Sequence, residues 1–304
     1  MLTAPGKSGG FFIEEGMVLS CYLCYMLYFN CDGKIIRENT PVITADNRGF
    51  RYGDGLFETL KFTRGKILFS NEHFARLWKG MQLLHFIIPK HFTPEMLEEQ
   101  MLDLVKKNGH EGAARIRLTI YRGDGGLYDA VNHAPHYIIQ SWPLQEGTGE
   151  LNSNGLVLGF YEAAKKSVDV FSNLKNNNYL PYIMAALKAK EEKWNDAIVL
   201  NNFNRVCDTT IANLFIIKDN EVFTPSLAEG CVAGVMREIL MDTLKKQGWA
   251  ITEKGINVEE VMEADEIFLT NSIYNIRWVK ELDNKDFGNA LVQKIYSTVI
   301  STIS

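Results

Sequence analysis

Two groups of alternating strand-like and helix-like patterns, separated by a polar run at residues 145–154, constrain this 304-residue chain most. The alternation is irregular, which predicts a mixed α/β or α+β fold rather than a strict doubly wound sheet. The polar run is rich in Gly, Glu, Asn and Ser and reads as a linker. It separates a smaller α/β domain at 26–144 from a larger domain at 155–304. Residues 1–25 read as an N-terminal extension. The apolar part at 17–29 falls short of the roughly 20 residues of a membrane span. Glu14 and Glu15 precede it, where a signal peptide wants a basic flank.

In the first group, 57–62 and 66–69 read as a hairpin turning at Arg64-Gly65. Ser70 is placed to cap a helix through residue 86, with Phe74, Leu77, Trp78, Met81, Leu84 and His85 on its buried stripe. Thr93 caps a second helix with Pro94 at its first position and Gly109 past its end. Strands follow at 115–121 and 137–142. The second group predicts a strand at 156–161 and a helix at 181–194. A meander of 197–200, 213–218 and 222–224 then turns at Asp219-Asn220. Gly234 opens a helix to Gln247, stopped by Gly248, and 267–270 is the last recognisable strand.

Net charge is −5 with no long basic tract, which argues against a nucleic-acid partner. Five cysteines without a secretory signal fit a reduced, cytoplasmic compartment. Cys21 and Cys24 form a lone C-x-x-C with no second pair or nearby histidine, so no metal site is expected.

Lys175 stands in Asn173-Leu174-Lys175-Asn176-Asn177-Asn178-Tyr179-Leu180-Pro181, between a strand and an alanine-rich helix. Alone, it reads first as a solvated surface charge. Partial burial among amides, with a phenol at i+4, would instead lower its pKa and leave an amine suited to Schiff-base chemistry. Four other pieces bear on that choice. Arg76, early in the helix after Ser70, is either a solvated helix charge or a guanidinium that pairs with phosphate. Gly230-Cys231-Val232-Ala233-Gly234-Val235-Met236-Arg237 places glycines and free N–H groups at a helix start, which suits an anion or a plain turn. Asp208 ends a strand, where a carboxylate either closes a turn or holds a ring N–H⁺. Thr270-Asn271-Ser272 offers hydroxyls and an amide to phosphate, or an ordinary polar turn. Gly53-Asp54-Gly55 and Gly123-Asp124-Gly125-Gly126 lack the strand-loop-helix context of a nucleotide fingerprint.

The order of these pieces resembles the fold-type IV, class IV pyridoxal-phosphate enzymes. That family includes branched-chain aminotransferases, D-amino acid aminotransferases and 4-amino-4-deoxychorismate lyases. The resemblance spans about 26–280. It rests on Asp46-Asn47-Arg48-Gly49 through Gly53-Asp54-Gly55-Leu56-Phe57-Glu58-Thr59, the helix with Arg76, Lys175 with Asn178-Tyr179-Leu180-Pro181, Asn213-Leu214-Phe215, and Ala264-Asp265-Glu266. It implies a two-domain, D-amino acid aminotransferase-like fold. Pyridoxal 5'-phosphate would lie at the domain interface, usually within a homodimer, and act on a small-molecule substrate. By the same resemblance Lys175 forms the Schiff base and later carries the proton, and Tyr179 hydrogen-bonds the cofactor's phenolic oxygen. Arg76, the backbone at Val235 and Met236, and Ser272 hold the phosphate. Asp208 stands where the family usually has a glutamate bonded to the pyridine nitrogen, and Met236 where aminotransferases commonly have threonine. Phe57 and Arg117 fall on the substrate side; Arg117 reads as a carboxylate partner or as a solvated strand arginine.

Leu127 and Asp129 occupy the positions of the Arg and His with which D-amino acid enzymes trap a carboxylate, which argues against that activity. Asn271-Ser272-Ile273-Tyr274-Asn275 replaces the Gly-Thr-Ala-Ala-Glu run typical of branched-chain aminotransferases. Phe57-Glu58-Thr59, Gly234-Val235-Met236-Arg237 and Asn271-Ser272 look more like aminodeoxychorismate lyases. The expected activity is therefore release of 4-aminobenzoate and pyruvate. The alternatives are a branched-chain aminotransferase using 2-oxoglutarate and a catalytically silent pyridoxal-phosphate-binding homologue.

Overall fold

The computed structural model describes residues 27–303, so the extension expected at 1–25 and the pair Cys21 and Cys24 lie outside the described residues. The chain builds two sheets in sequence. The first half runs β1 (Tyr28–Cys31), β2 (Lys34–Arg37), α1 (Arg48–Tyr52), β3 (Gly55–Thr63), β4 (Lys66–Ile67), α2 (Ser70–Leu83), α3 (Pro94–Lys107), β5 (Ala113–Arg122) and β6 (Pro135–Pro143). Its six strands are ordered β2-β1-β6-β5-β3-β4, with antiparallel pairings throughout.

The second half begins with β7 (Leu156–Lys166), α4 (Leu180–Glu191), β8 (Asp196–Asn201), β9 (Val206–Thr209), β10 (Asn213–Lys218) and β11 (Glu221–Pro225). It continues with α5 (Val235–Lys246), β12 (Ile251–Lys254), α6 (Val258–Met262), β13 (Glu266–Asn271), β14 (Asn275–Leu282), β15 (Lys285–Asp286) and α7 (Ala290–Ile303). This sheet runs β12-β11-β10-β13-β14-β7-β8-β9, with β15 on β14. Parallel and antiparallel pairs are mixed, as irregular alternation predicts.

Strand patterning explains how each sheet is covered. In β5 the even positions Ala114, Ile116, Leu118 and Ile120 are buried against Leu77, Met81, Leu97, Met101 and Leu104 of α2 and α3. The odd positions Arg115, Arg117 and Thr119 are left for the opposite face. The second sheet is covered on both sides, so β8 is buried at every position. One side packs Phe215 and Phe268 against Met236, Leu240 and Leu244 of α5 and Val292 and Ile295 of α7. The other packs Leu158, Ile198 and Leu269 against Val261 of α6.

Turn chemistry holds as expected at several points. Arg64 and Gly65 turn the β3-β4 hairpin with φ of 51° and 78°, and Thr93 caps α3 by accepting from Met96 N. Four expectations need correction. Ser70 is the first residue of α2 rather than its cap; Phe69, at φ 55°, precedes it and no side chain caps the helix. That helix ends at Leu83, because His85 turns out at φ 57° and is exposed; the histidine this helix buries is His73. The strands at 197–200 and 213–218 are not neighbours: β8 lies between β7 and β9, and β10 between β11 and β13. Their linear spacing hid β9, whose four residues are too short for a clear period. Finally, β14, β15 and α7 follow the last recognised strand.

Residues 145–154 are pinned rather than loose. Lys61 of β3 donates to the Thr148 and Ile273 carbonyls, and Asn275 to the Gly149 carbonyl. The Asn152 side chain exchanges two hydrogen bonds with the Trp278 backbone, at 3.0 and 2.9 Å.

Candidate active site

A cavity of about 910 Å³ opens between the two sheets. Phe57, Arg76, Arg117, Lys175, Tyr179, Asp208, Val235, Met236 and Ser272 all line it. The sequence scatters these residues over more than 200 positions, and the crossing of β3 by the Lys175 loop brings them together. Phe57 N donates to the Lys175 carbonyl at 2.9 Å and Asn177 N to the Gly55 carbonyl at 3.0 Å. The loop is thus paired to β3 like a short strand. Gly55 is required there: a Cβ would sit 2.2 Å from the Ile120 carbonyl oxygen and 2.6 Å from Asn177 Nδ2.

Lys175 Nζ lies 4.6 Å from the Phe57 ring centre and 5.7 Å from that of Tyr179. Burial, and then the Arg76 guanidinium, lower its pKa to about 7 against the pull of Glu58 and Asp208. A substantial neutral fraction is therefore present near neutrality. Burial, followed by the Asp208 charge, pushes Tyr179 well above the ordinary phenol, so it stays a hydrogen-bond donor.

One end of the cavity suits a phosphate. Gly234 is the N-cap of α5 and supplies no side-chain acceptor, so the N–H groups of Val235 and Met236 are left without intrahelical partners. They carry the positive end of the helix dipole. Arg76 stands opposite, donating through Nε to Glu58 Oε1 at 2.8 Å, through a terminal nitrogen to Glu58 Oε2, and to the Ala233 carbonyl at 2.8 Å. Thr270 Oγ1 lines the same cavity and is buried without a partner among the described residues. An orphaned buried hydroxyl is costly unless a ligand satisfies it. Ser272 also lines the cavity, but the Asn271 amide is spent on its own turn: its oxygen accepts from Ile273 N and Tyr274 N.

Asp208 also lines the cavity, tied to the segment before Gly234. Its Oδ2 accepts from Tyr182 Oη at 2.8 Å, Val232 N at 2.9 Å and Lys166 Nζ at 3.3 Å. Among the described residues its Oδ1 accepts only Asn213 Nδ2, at 2.8 Å. Oδ1 therefore keeps a lone-pair site for a ring N–H⁺. Gly234 protects this arrangement as well, because a Cβ there would meet Asn213 Oδ1 at 1.9 Å.

The sequence alone assigns no role to Glu58, His73, Lys166 or Tyr182; Thr270 it offers as a hydroxyl for phosphate or as part of a polar turn. Lys166 sits in a Lys-Lys pair at a strand end, which looks like a solvated surface in one dimension. Glu58 stands out in the sequence only as part of Phe57-Glu58-Thr59. It is buried between Arg76 and His73 Nδ1, 2.7 Å away. Burial alone raises its pKa, yet Arg76 and then His73 hold it at about 2. A carboxyl lowered from 4.5 contributes stability that is present above pH 4.5 and lost as pH falls through about 2. The full contribution is about 3 kcal/mol. Glu58→Gln is expected to abolish that acid limb in urea-unfolding midpoints measured against pH. It should also weaken binding of a phosphate-bearing ligand about tenfold by releasing Arg76.

A buried amine, a helix start and guanidinium suited to phosphate, and a carboxylate with a lone pair to spare, held between an antiparallel sheet and a mixed one, suit a phosphorylated pyridine aldehyde. The family profile for Amino-transferase class IV matches residues 55–282, and the chain belongs to that family. It is a pyridoxal-phosphate-dependent, fold-type IV enzyme. An aminodeoxychorismate lyase of Vibrio harveyi is 29% identical over 236 residues, covering 77% of this chain and 85% of that protein. A D-alanine aminotransferase of Listeria monocytogenes is 25% identical over 256 residues, covering 82% and 85%. The crystal structure of a branched-chain aminotransferase from Thermoproteus uzoniensis superposes with a TM-score of 0.82 at 24% identity, covering 91% of this chain and 94% of that one.

Proposed function

We propose that this enzyme is a 4-amino-4-deoxychorismate lyase, releasing 4-aminobenzoate and pyruvate. The observation that carries this reading is the phosphate-end turn Gly234-Val235-Met236-Arg237. Met236, in the first turn of α5, is buried in the cluster of Phe215 and Phe268 and brings no hydroxyl, so backbone donors alone serve that turn, the pattern that resembles the lyases. The Vibrio harveyi relative supports the same reading. So do Leu127 and Asp129, which offer no cation on the loop that Arg48 holds through the Leu127 and Tyr128 carbonyls.

Held by Lys175, Arg76 and the N–H groups of Val235 and Met236, pyridoxal phosphate would supply a carbonyl for the substrate amine and an electron sink for the carbon bearing it. The residues do the rest. Lys175, once freed, takes the proton from that carbon as a general base whose pKa of about 7 suits neutral pH. The bond from the neighbouring carbon to the enolpyruvyl oxygen then breaks. Enolpyruvate takes the proton back from Lys175 to become pyruvate, the ring becomes aromatic, and neutral Lys175 displaces the product amine so that 4-aminobenzoate leaves. Asp208 would hold the proton on a ring nitrogen. With aminodeoxychorismate alone, 4-aminobenzoate should appear with no amino acceptor present. Glutamate formed from leucine plus 2-oxoglutarate, with no aminobenzoate from the lyase assay, would overturn the assignment. A colourless protein that takes up no cofactor would indicate a silent homologue.

A homodimer completes this reading. Leu180, Ile183, Met184 and Leu187 share one face of α4 and are exposed, a contiguous apolar stripe that calls for a partner surface. Sedimentation is expected at twice the chain mass, and Leu187→Glu should return the monomer.

A further inference from the structure

Arg115 and Arg117 stand two residues apart on β5, so they leave the same face of the sheet, and both line the cavity. Arg117 lies opposite Thr59, and Arg115 between Lys61 and Trp142. Each guanidinium rests on an aromatic ring: Arg117 Cζ is 3.9 Å from the Phe57 centre, and Arg115 Cζ is 5.5 Å from that of Trp142. Arg117 also donates through Nε to Thr119 Oγ1 at 3.3 Å. Of the three arginines that line the cavity, Arg76 forms an ion pair with Glu58, whereas among the described residues neither Arg115 nor Arg117 has one. Burial, and then the charge of Arg115, lower Arg117 below its ordinary value, as two cations facing one space without a counter-charge should.

The two are not equivalent. Phe57 carries both Arg117 and the Lys175 ammonium, so Arg117 is beside the reacting amine. Arg115 is one strand repeat farther out, roughly 7 Å along β5, exposed at the cavity mouth. We propose that the pair is a two-point clamp for a substrate bearing two carboxylates. Arg117 binds the carboxylate next to the amine-bearing carbon, and Arg115, a specificity-determining residue not otherwise assigned, binds the distal one. Which carboxylate goes where rests on the lyase reading: the enolpyruvyl group adjoins the amine-bearing carbon, and the ring carboxylate lies across the ring.

The test compares binding of isophthalate and benzoate to the holoenzyme by calorimetry, using wild type and Arg115→Gln. Arg115 is exposed on a strand, and this variant should fold normally. Wild type is expected to bind isophthalate about tenfold more tightly than benzoate, the worth of one added guanidinium–carboxylate contact. Arg115→Gln should remove that advantage while leaving benzoate within about twofold. Equal binding of the two acids by wild type, or an advantage that survives in Arg115→Gln, overturns the clamp. The two readings fail separately. A clamp without aminobenzoate release would leave Arg115 reading some other dicarboxylate. Aminobenzoate release with no isophthalate advantage would leave the lyase standing and Arg115 a solvated residue.

Discussion

Lys175→Ala should eliminate turnover, by a factor of about 10⁴ or more, and leave a protein that borohydride no longer fixes to pyridoxal phosphate. The loss is large because one nitrogen has two duties: it captures the cofactor and later moves the proton. No neighbour can substitute. Arg76 is committed to Glu58, Lys166 is held at Asp208, and burial keeps Tyr179 protonated. The same amine sets a pH dependence. Its pKa of about 7 means that the neutral fraction rises roughly tenfold per unit below pH 7 and levels off above it. Capture of pyridoxal phosphate by the apoenzyme, followed by absorbance, should trace that curve. An ordinary lysine would keep accelerating through pH 9, because its pKa is about 10.4. Acceleration of that kind would show that burial does not lower this amine.

Sequence carried the site further than the fold around it. Lys175 and Tyr179 stand out locally, as a lysine with a phenol at i+4; Arg76 and Asp208 take their expected roles from the family resemblance alone, and the fold brings all four to one cavity. The same locality made the α3 cap and the Arg64-Gly65 turn readable. What stayed hidden depends on contacts that no window spans. Lys166 is 42 positions from Asp208, and Glu58 is 18 from Arg76. Neither pairing leaves a periodic trace. The order of the second sheet was hidden for the same reason. Its strands are buried on both faces and lose the alternation that would separate neighbours. Arg115 and Arg117 fall between these cases. Their alternation was visible, but only the register of β5 against β3 and β6 makes both face the cavity.

Asp208→Asn is the second change with a large expected effect, and it acts through two separable routes. Every group around this carboxylate is a donor: Tyr182 Oη, Val232 N, Lys166 Nζ and Asn213 Nδ2. An amide has only one accepting oxygen, so its NH₂ must face one of those donors, and Lys166 loses its counter-charge in a buried position. Breaking a buried pair from one side costs about 3–5 kcal/mol, which urea unfolding should register. Turnover should fall about 10³-fold as well, because a ring nitrogen without a carboxylate no longer holds the proton that makes the ring an electron acceptor. Lys166→Met in the same chain separates the two effects. Removing the stranded ammonium should recover much of the stability, a coupling that a double-mutant cycle measures directly. It cannot restore a negative charge at the ring nitrogen, so turnover should stay low. Recovery of activity together with stability would mean that Asp208 serves only the packing of Lys166 and Tyr182.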